Sequence, residues 1–313
     1  MYKNNIISVV IPTYKVSKQI KDVVNNLPSF IDNIIIVDDK CPDKSYEIVK
    51  DIKKVLTINH INNLGVGGAV ISGYKKAIDL NSDIVVKIDG DGQMDANFIE
   101  ALITPIIESK ADYTKGNRFK DFEALKSMPK IRLFGNSALS FMVKVASGYW
   151  NIMDPTNGFT AINKKAISGL NLSKLAERYF FETDMLINLN IENCIVKDIS
   201  IPAKYEDEES NLKIRNVMLT FPPKMFKGLS KRIFYKYYIY DFNMASIYLL
   251  LGLPMVLFGS IFGTYRWIIS IITNIETGTG TVMLSALPII LGVQFLLQAI
   301  SIDIDNIPNI GDK

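Results

Sequence analysis

Asp89-Gly90-Asp91-Gly92-Gln93 follows directly on the apolar run 84–88. Two carboxylates one residue apart at a strand end can converge on one hard cation, and that cation can bridge the phosphates of a nucleotide diphosphate. A ligand-free turn is the alternative for these residues taken alone, because Asp and Gly favour turns on their own account. Three other stretches stand at comparable places. Val37-Asp38-Asp39 closes a second apolar run, Ile11-Pro12-Thr13-Tyr14 closes the first, and Asn63-Leu64-Gly65-Val66-Gly67-Gly68-Ala69 opens a helical pattern. Glycines at a helix start allow close backbone approach to a ligand, although a structural turn explains them nearly as well. No Gly-Lys-Ser/Thr follows, so this is not a Walker A loop. The four run ends together offer an aromatic platform, carboxylates for a base and ribose, a glycine turn and a metal site.

The elements that must carry these residues are legible as an alternation. Short apolar runs at 6–11, 34–37, 55–58, 84–88 and 111–115 read as strands, and amphipathic stretches at 17–26, 45–52, 67–79 and 97–109 read as helices. This is the pattern of an α/β sheet with parallel strands, which gathers ligands beyond the carboxyl ends of its strands.

From Met244 the chain becomes almost uncharged and strongly apolar. The stretches 244–265 and 282–302 are each about the 20 residues that cross a bilayer as a helix, with buried core helices of a soluble domain as the alternative. The connecting segment 273–280 holds no Lys or Arg, whereas 224–240 carries Lys224, Lys227, Lys231, Arg232 and Lys236 among aromatic residues. The positive-inside rule then places the large domain and the C-terminal tail in the cytoplasm. The basic aromatic segment is expected to lie along the anionic inner leaflet; a solvated charged helix is the alternative, less favoured because Phe226, Ile233, Phe234, Tyr237 and Tyr238 need burial.

Composition narrows the function further. A net charge of +3 over 313 residues gives no argument for nucleic acid. The single histidine, His60, speaks against zinc chemistry and a Ser-His-Asp triad, and reads as a strand-end residue. Cys41 and Cys194 lack metal-ligand spacing; a disulfide stays open, but a reduced compartment is the plainer reading. The run 6–11 is far too short for the apolar core of a signal peptide, so none is expected.

The order IPTY, VDD, GVGGA, DGDGQ, GNRF and DPTNGF resembles the inverting GT-A glycosyltransferases of family 2, and within them the polyprenyl-phosphate branch. The resemblance covers about residues 6–215. It implies a GT-A (Rossmann-like) nucleotide-sugar domain over 1–220, a juxtamembrane segment over 221–243, and two transmembrane helices with a short tail over 244–313. It also implies a nucleotide-sugar donor, a polyprenyl-phosphate acceptor, a divalent metal (Mg or Mn) and a multi-pass location in the inner membrane; a homo-oligomer is left open. Asp89, Asp91 and Gln93 would hold the metal and the donor diphosphate. Asp38 and Asp39 would contact the nucleoside, with Pro12, Thr13 and Tyr14 lining its pocket and Gly68 beside it. Arg118 and Arg132 with Ser137 resemble residues that gather phosphates, a role suited to the planar guanidinium fork; a surface salt bridge is the alternative for each arginine. Asp154 resembles an acidic residue near the acceptor, with a turn aspartate as the alternative.

Three departures bear on the acceptor side. Lys15-Val16 follows Tyr14 where the family has Asn-Glu, Thr160 replaces an arginine, and the basic R-x-x-G-E-S-K motif survives only as Lys213, with Arg215 as a substitute. The expected reaction is one displacement at the anomeric carbon by a phosphate oxygen that is already anionic, so a strong general base is less needed. Transfer to a sugar hydroxyl of a lipid-linked glycan is the nearest alternative and would require a base such as Asp154. A processive synthase is disfavoured because Gly263 stands where the QxxRW motif, here ending in Arg266-Trp267, has Gln. A catalytically dead nucleotide-sugar-binding scaffold is the alternative of a different class.

Overall fold

Three short runs dominated by Ile and Val form the centre of a seven-stranded sheet. The computed structural model describes residues 1–119, 130–202 and 214–312, leaving aside the side chains of 130–134, 136, 214–219 and 312. In chain order the elements are β1 (Ile7–Thr13), α1 (Ile20–Asn25), β2 (Asn33–Asp38), β3 (Val55–Asn59), α2 (Val66–Asp79), β4 (Ile84–Lys87), α3 (Ile99–Ile107), β5 (Tyr113–Asn117), α4 (Lys130–Ser147), β6 (Thr160–Asn163), α5 (Lys164–Gly169), α6 (Phe181–Ile191), β7 (Val196–Ser200), α7 (Ile214–Phe234), α8 (Met244–Thr273) and α9 (Thr279–Asp305). The chain divides into two compact units, Met1–Arg232 with Pro308–Lys313, and Ile233–Ile307.

The first unit is the α/β sheet that the alternation implies, with the order β3-β2-β1-β4-β6-β5-β7. β1, β2 and β4 are buried almost throughout, as parallel strands covered on both faces must be. Ile7, Val9, Ile11, Ile36 and Val86 join Ile99, Leu102 and Ile103 of α3 in one core.

β6 was not anticipated, and it decides the site. It runs antiparallel to both β4 and β5, with Lys87 opposite Thr160 and Lys115 opposite Thr160. The start of β6 therefore lies beside the ends of β4 and β5. DPTNGF (154–159) is delivered next to DGDGQ and GNRF by that single reversal.

The stretch 45–52, expected as a helix, forms only a 3₁₀ turn at Ser45–Ile48. Asp43 Oδ1 accepts both the Ser45 N–H at 3.2 Å and its hydroxyl at 2.5 Å, and such local bonds compete with helix formation. The strand expected at 111–115 sits two residues later, where β7 pairs with it from Tyr113↔Val196 to Asn117↔Ser200.

In the second unit, α8 and α9 are both long and apolar enough to cross a membrane. Each exceeds the expected span; α8 runs on because nothing in 266–273 stops a helix until Asn274 turns left-handed at φ 51°. They pack through small residues, Gly252 against Gly292 and Gly259 against Ser285 and Ile289, while Leu250, Phe258, Ile261, Ile290 and Leu297 stay exposed. Asn243 and Ser246 close a capping box at the start of α8. The preceding π-helical turn, Tyr235–Tyr240, buries Tyr237, whose hydroxyl donates to Asp303 Oδ1 at 2.6 Å.

Arg232, read from sequence as one of the membrane-facing cations, is instead 1 % exposed within the first unit. Its Nε and Nη2 each donate at 3.0 Å, to the carbonyls of Ala146 and Val145, and so satisfy the last turn of α4.

Candidate functional site

A cavity of about 530 Å³ opens where the ends of β1 and β4 meet α2, α6 and the DPTNGF turn. Its floor is Asp89, Gly90 and Asp91. Gly92 at φ +81° turns the chain, and Asp91 Oδ1 accepts the Gln93 N–H at 3.1 Å. Gln93 does not line the cavity. The described residues contain no group of three or more His, Cys, Asp or Glu able to hold a metal by themselves. Two carboxylates facing an open cavity still fit a divalent cation that takes its remaining oxygens from a diphosphate and water, as Mg²⁺ habitually does.

One wall is the nucleoside side of the sequence reading. Pro12, Thr13 and Tyr14 line it, the Tyr14 ring half exposed, and Asp39 lies beside them. Asp39 is buried and heavily engaged: Oδ1 pairs with His60 Nδ1 and accepts the Leu64 N–H, both at 2.8 Å, and Oδ2 accepts the Gly65 N–H at 2.7 Å. His60 Nε2 meets Ser72 Oγ at 2.8 Å, so the lone histidine clamps Asp39 to α2. Asp38 does not line the cavity; its Oδ2 accepts the Cys41 N–H at 3.3 Å, and burial pushes its carboxyl above the usual range.

The glycine turn approaches protein rather than empty space. Gly65 adopts φ +88°, a Cβ on Gly67 would stand 2.4 Å from the Ala176 carbonyl oxygen, and the Gly68 N–H donates to Glu177 O at 2.7 Å. Gly65, Val66 and Ala69 line the cavity, whereas Gly68 does not.

The opposite wall holds residues that the sequence reading missed: Lys87, Arg178, Tyr179, Glu182 and Thr183. Lys87 Nζ lies 2.8 Å from Asp89 Oδ1 and 3.3 Å from Glu182 Oε1. Burial opposes the Lys87 charge, but Asp89 and Glu182 outweigh it and hold the ammonium above the ordinary lysine value. The fully buried Lys115 Nζ donates to Asn157 O and stands 3.5 Å from Glu182 Oε2; burial pushes its pKa down. The available signal was a lysine inside an otherwise apolar strand, which demands a buried partner.

Beside the cavity, Asp154 is fully buried and grips Arg118 by a fork, with Nε to Oδ2 at 2.7 Å and Nη2 to Oδ1 at 3.1 Å. Neither lines the cavity, but Thr156 and Gly158 of the same motif do. Arg132 falls in α4, its side chain outside the described residues, and Lys213 lies outside them altogether. Ser137 is exposed on α4, and Leu139 of that helix reaches the cavity.

The family model described as glycosyl transferase family 2 matches residues 8–170. A Methanococcus voltae protein named UDP-N-acetylglucosamine–dolichyl-phosphate N-acetylglucosaminyltransferase is 36 % identical over 235 residues, covering 70 % of this chain and 93 % of that protein. The dolichol-phosphate mannosyltransferase of Pyrococcus furiosus is 26 % identical over 56 % of this chain and 51 % of its own length. Among solved structures, glucosyl-3-phosphoglycerate synthase from Mycobacterium tuberculosis, in complex with Mn²⁺, UDP and glucosyl-3-phosphoglycerate, superposes with a TM-score of 0.54. At 17 % identity, over 73 % of this chain and 80 % of that one, this likeness establishes the GT-A fold.

Proposed function

Because the chain belongs to glycosyltransferase family 2, we propose that it transfers a sugar from a nucleotide-sugar donor to a polyprenyl phosphate at a membrane surface, with inversion at the anomeric carbon. The observation that carries this reading is the meeting of the DGDGQ floor, the Tyr14–Asp39 wall and the DPTNGF turn on one cavity, in a chain that also holds two membrane-length apolar helices. Relatives named for dolichyl-phosphate acceptors support the lipid phosphate.

Tyr14 and Pro12 would support the nucleoside, and Asp39, held by His60 and two backbone N–H groups, would shape the turn around it. Asp89 and Asp91, with Gln93 beside them, would hold a divalent cation, Mg or Mn, which supplies charge neutralisation on the leaving diphosphate when bound. Arg118, fixed by Asp154 and one-third exposed, would offer its guanidinium to a phosphate near the reaction centre. Arg132, Ser137 and Lys213 would serve the acceptor phosphate, the Arg132 side chain and Lys213 lying outside the described residues. The phosphate nucleophile needs no proton removed, which suits an Asp154 whose two oxygens are already taken up by Arg118. Transfer to a glycan hydroxyl would ask that same engaged carboxylate to act as the base.

α8 and α9 would form a transmembrane hairpin. The loop 274–278 contains no Lys or Arg, so it would face outward and the catalytic unit the cytoplasm. The direct test incubates the purified full chain with a panel of nucleotide sugars and with dolichyl or undecaprenyl phosphate, followed by mass spectrometry of the lipids. A glycosyl-phosphoprenol is expected. Extension of a lipid-linked glycan, with polyprenyl phosphate ignored, would replace this reading by the hydroxyl-acceptor one; metal-dependent donor binding with no transfer would favour a scaffold.

A further inference from the structure

Lys87 is the last residue of β4, two positions before Asp89, and strand alternation turns such a pair to one face. Its side chain is only 3 % exposed, yet it reaches the cavity wall between Asp89 and Glu182. Glu182, in the first turn of α6, is shared with the fully buried Lys115. Two ammonium groups and two carboxylates thus meet directly behind the donor floor. Gly158 leaves the space for this: a Cβ there would fall 2.0 Å from Lys87 Nζ and 3.0 Å from Asp89 Oδ2.

A buried ion is costly unless it is closely paired. Glu182 is divided between two lysines, so Lys87 depends on Asp89 for the rest of its compensation. Asp89 in turn is a carboxylate on the floor of the cavity proposed above for the donor diphosphate, and Lys87 is the cation 2.8 Å from it. The same positive charge therefore serves two purposes, orienting the carboxylate and lowering the repulsion that the floor would exert on a diphosphate.

We infer that Lys87, braced by Glu182, is a positioning residue and a resident cation of the donor site, fixing Asp89 at the cavity floor and giving the donor diphosphate a positive charge that does not come from a divalent metal. This inference rests on the donor-site reading above. Its consequence is a particular pattern of metal dependence. With Lys87 present, nucleotide binding keeps a metal-independent part; without it, that part is lost and binding depends on the metal more steeply.

The experiment measures UDP and GDP dissociation constants by calorimetry on the detergent-solubilised full chain, once with MnCl₂ and once with EDTA. The quantity read is the ratio of the EDTA constant to the Mn²⁺ constant. Lys87→Met is expected to raise this ratio about tenfold or more, the size of one charged hydrogen bond. Lys87→Arg, which keeps the charge, is expected to hold it within about threefold of wild type. Should Lys87→Met fail to fold, Lys87→Gln, which removes the charge but keeps an amide donor for Glu182 and leaves Glu182 to Lys115, carries the same expectation. A merely structural role for Lys87 would weaken both constants by one common factor, so an unchanged ratio at any absolute affinity overturns the inference. Wild-type protein that binds neither nucleotide with Mn²⁺ overturns it together with the donor-site reading. A raised ratio in a protein that makes no glycosyl-phosphoprenol leaves Lys87 standing and removes only the proposed acceptor.

Discussion

Asp154→Asn changes the charge of the site while nearly preserving its shape. Asp154 is fully buried, and its two oxygens accept from Arg118 Nε at 2.7 Å and Nη2 at 3.1 Å. An amide in its place keeps one acceptor and turns an NH₂ donor towards the guanidinium, so at least one charged hydrogen bond is lost. Such a bond contributes roughly 1.5–3 kcal/mol, and removing one partner of a fully buried pair costs roughly 3–5 kcal/mol. The Arg118 side chain is 34 % exposed, so water recovers part of that loss and the lower figure applies, about 2 kcal/mol. In a unit the size of Met1–Arg232 this lowers Tm by about 4–8 °C. If Asp154 acts by aiming Arg118 at a phosphate, transfer should slow by about one to two decades. The double variant Asp154→Asn with Arg118→Ala should then be little worse than Arg118→Ala alone. Melting curves and kcat/KM for polyprenyl phosphate read both effects. The reasoning is refuted if Asp154→Asn leaves Tm within about 1 °C yet slows transfer by about 10⁴-fold and removes a limb of the pH–rate profile, the behaviour of a general base.

Asp91→Asn is expected to stop transfer with little change in Tm, because Asp91 sits on the cavity floor rather than in the core, and chelation should mimic it; an active variant in chelator would remove the metal assignment. A cysteine placed in 274–278, in a background lacking Cys41 and Cys194, should react with an impermeant thiol reagent from outside intact cells, and one near Lys313 only after the membrane is opened. The reverse labelling would invert the proposed topology. The carboxyl of Asp198 is pushed up to about 6, chiefly by burial, so the folded state binds its proton more tightly than the unfolded chain does. Its contribution to stability is then complete below the ordinary aspartate value and is lost as pH rises through about 6. The Tm of wild type relative to Asp198→Asn should accordingly fall between pH 4 and pH 7; a difference that does not vary with pH would contradict the burial argument.

Part of the cavity lining was readable in the linear sequence because its information is local; Asp38, Gly68 and Gln93, singled out with it, do not line the cavity. DGDGQ, IPTY and VDD each sit at the end of their own apolar run, and in a parallel sheet every such end points to the same edge, whatever the strand order. The two C-terminal helices were readable for a similar reason: twenty or more apolar residues need no tertiary partner to declare themselves. What the local pattern could not contain was pairing between distant segments. β6 has four residues and no distinctive alternation, yet its antiparallel run between β4 and β5 brings DPTNGF to DGDGQ. Lys87 passed unremarked inside the apolar run 84–88, because the residue that engages it, Glu182, lies 95 positions away. Arg232 belonged by sequence to a basic surface segment, and only packing turned it inward onto the carbonyls of Val145 and Ala146. Local pattern was enough to mark residues able to do chemistry and the sheet edge that carries them. Tertiary structure decided which charges compensate one another, because the partner that makes a buried ion tolerable is chosen by proximity in space, which sequence spacing does not encode.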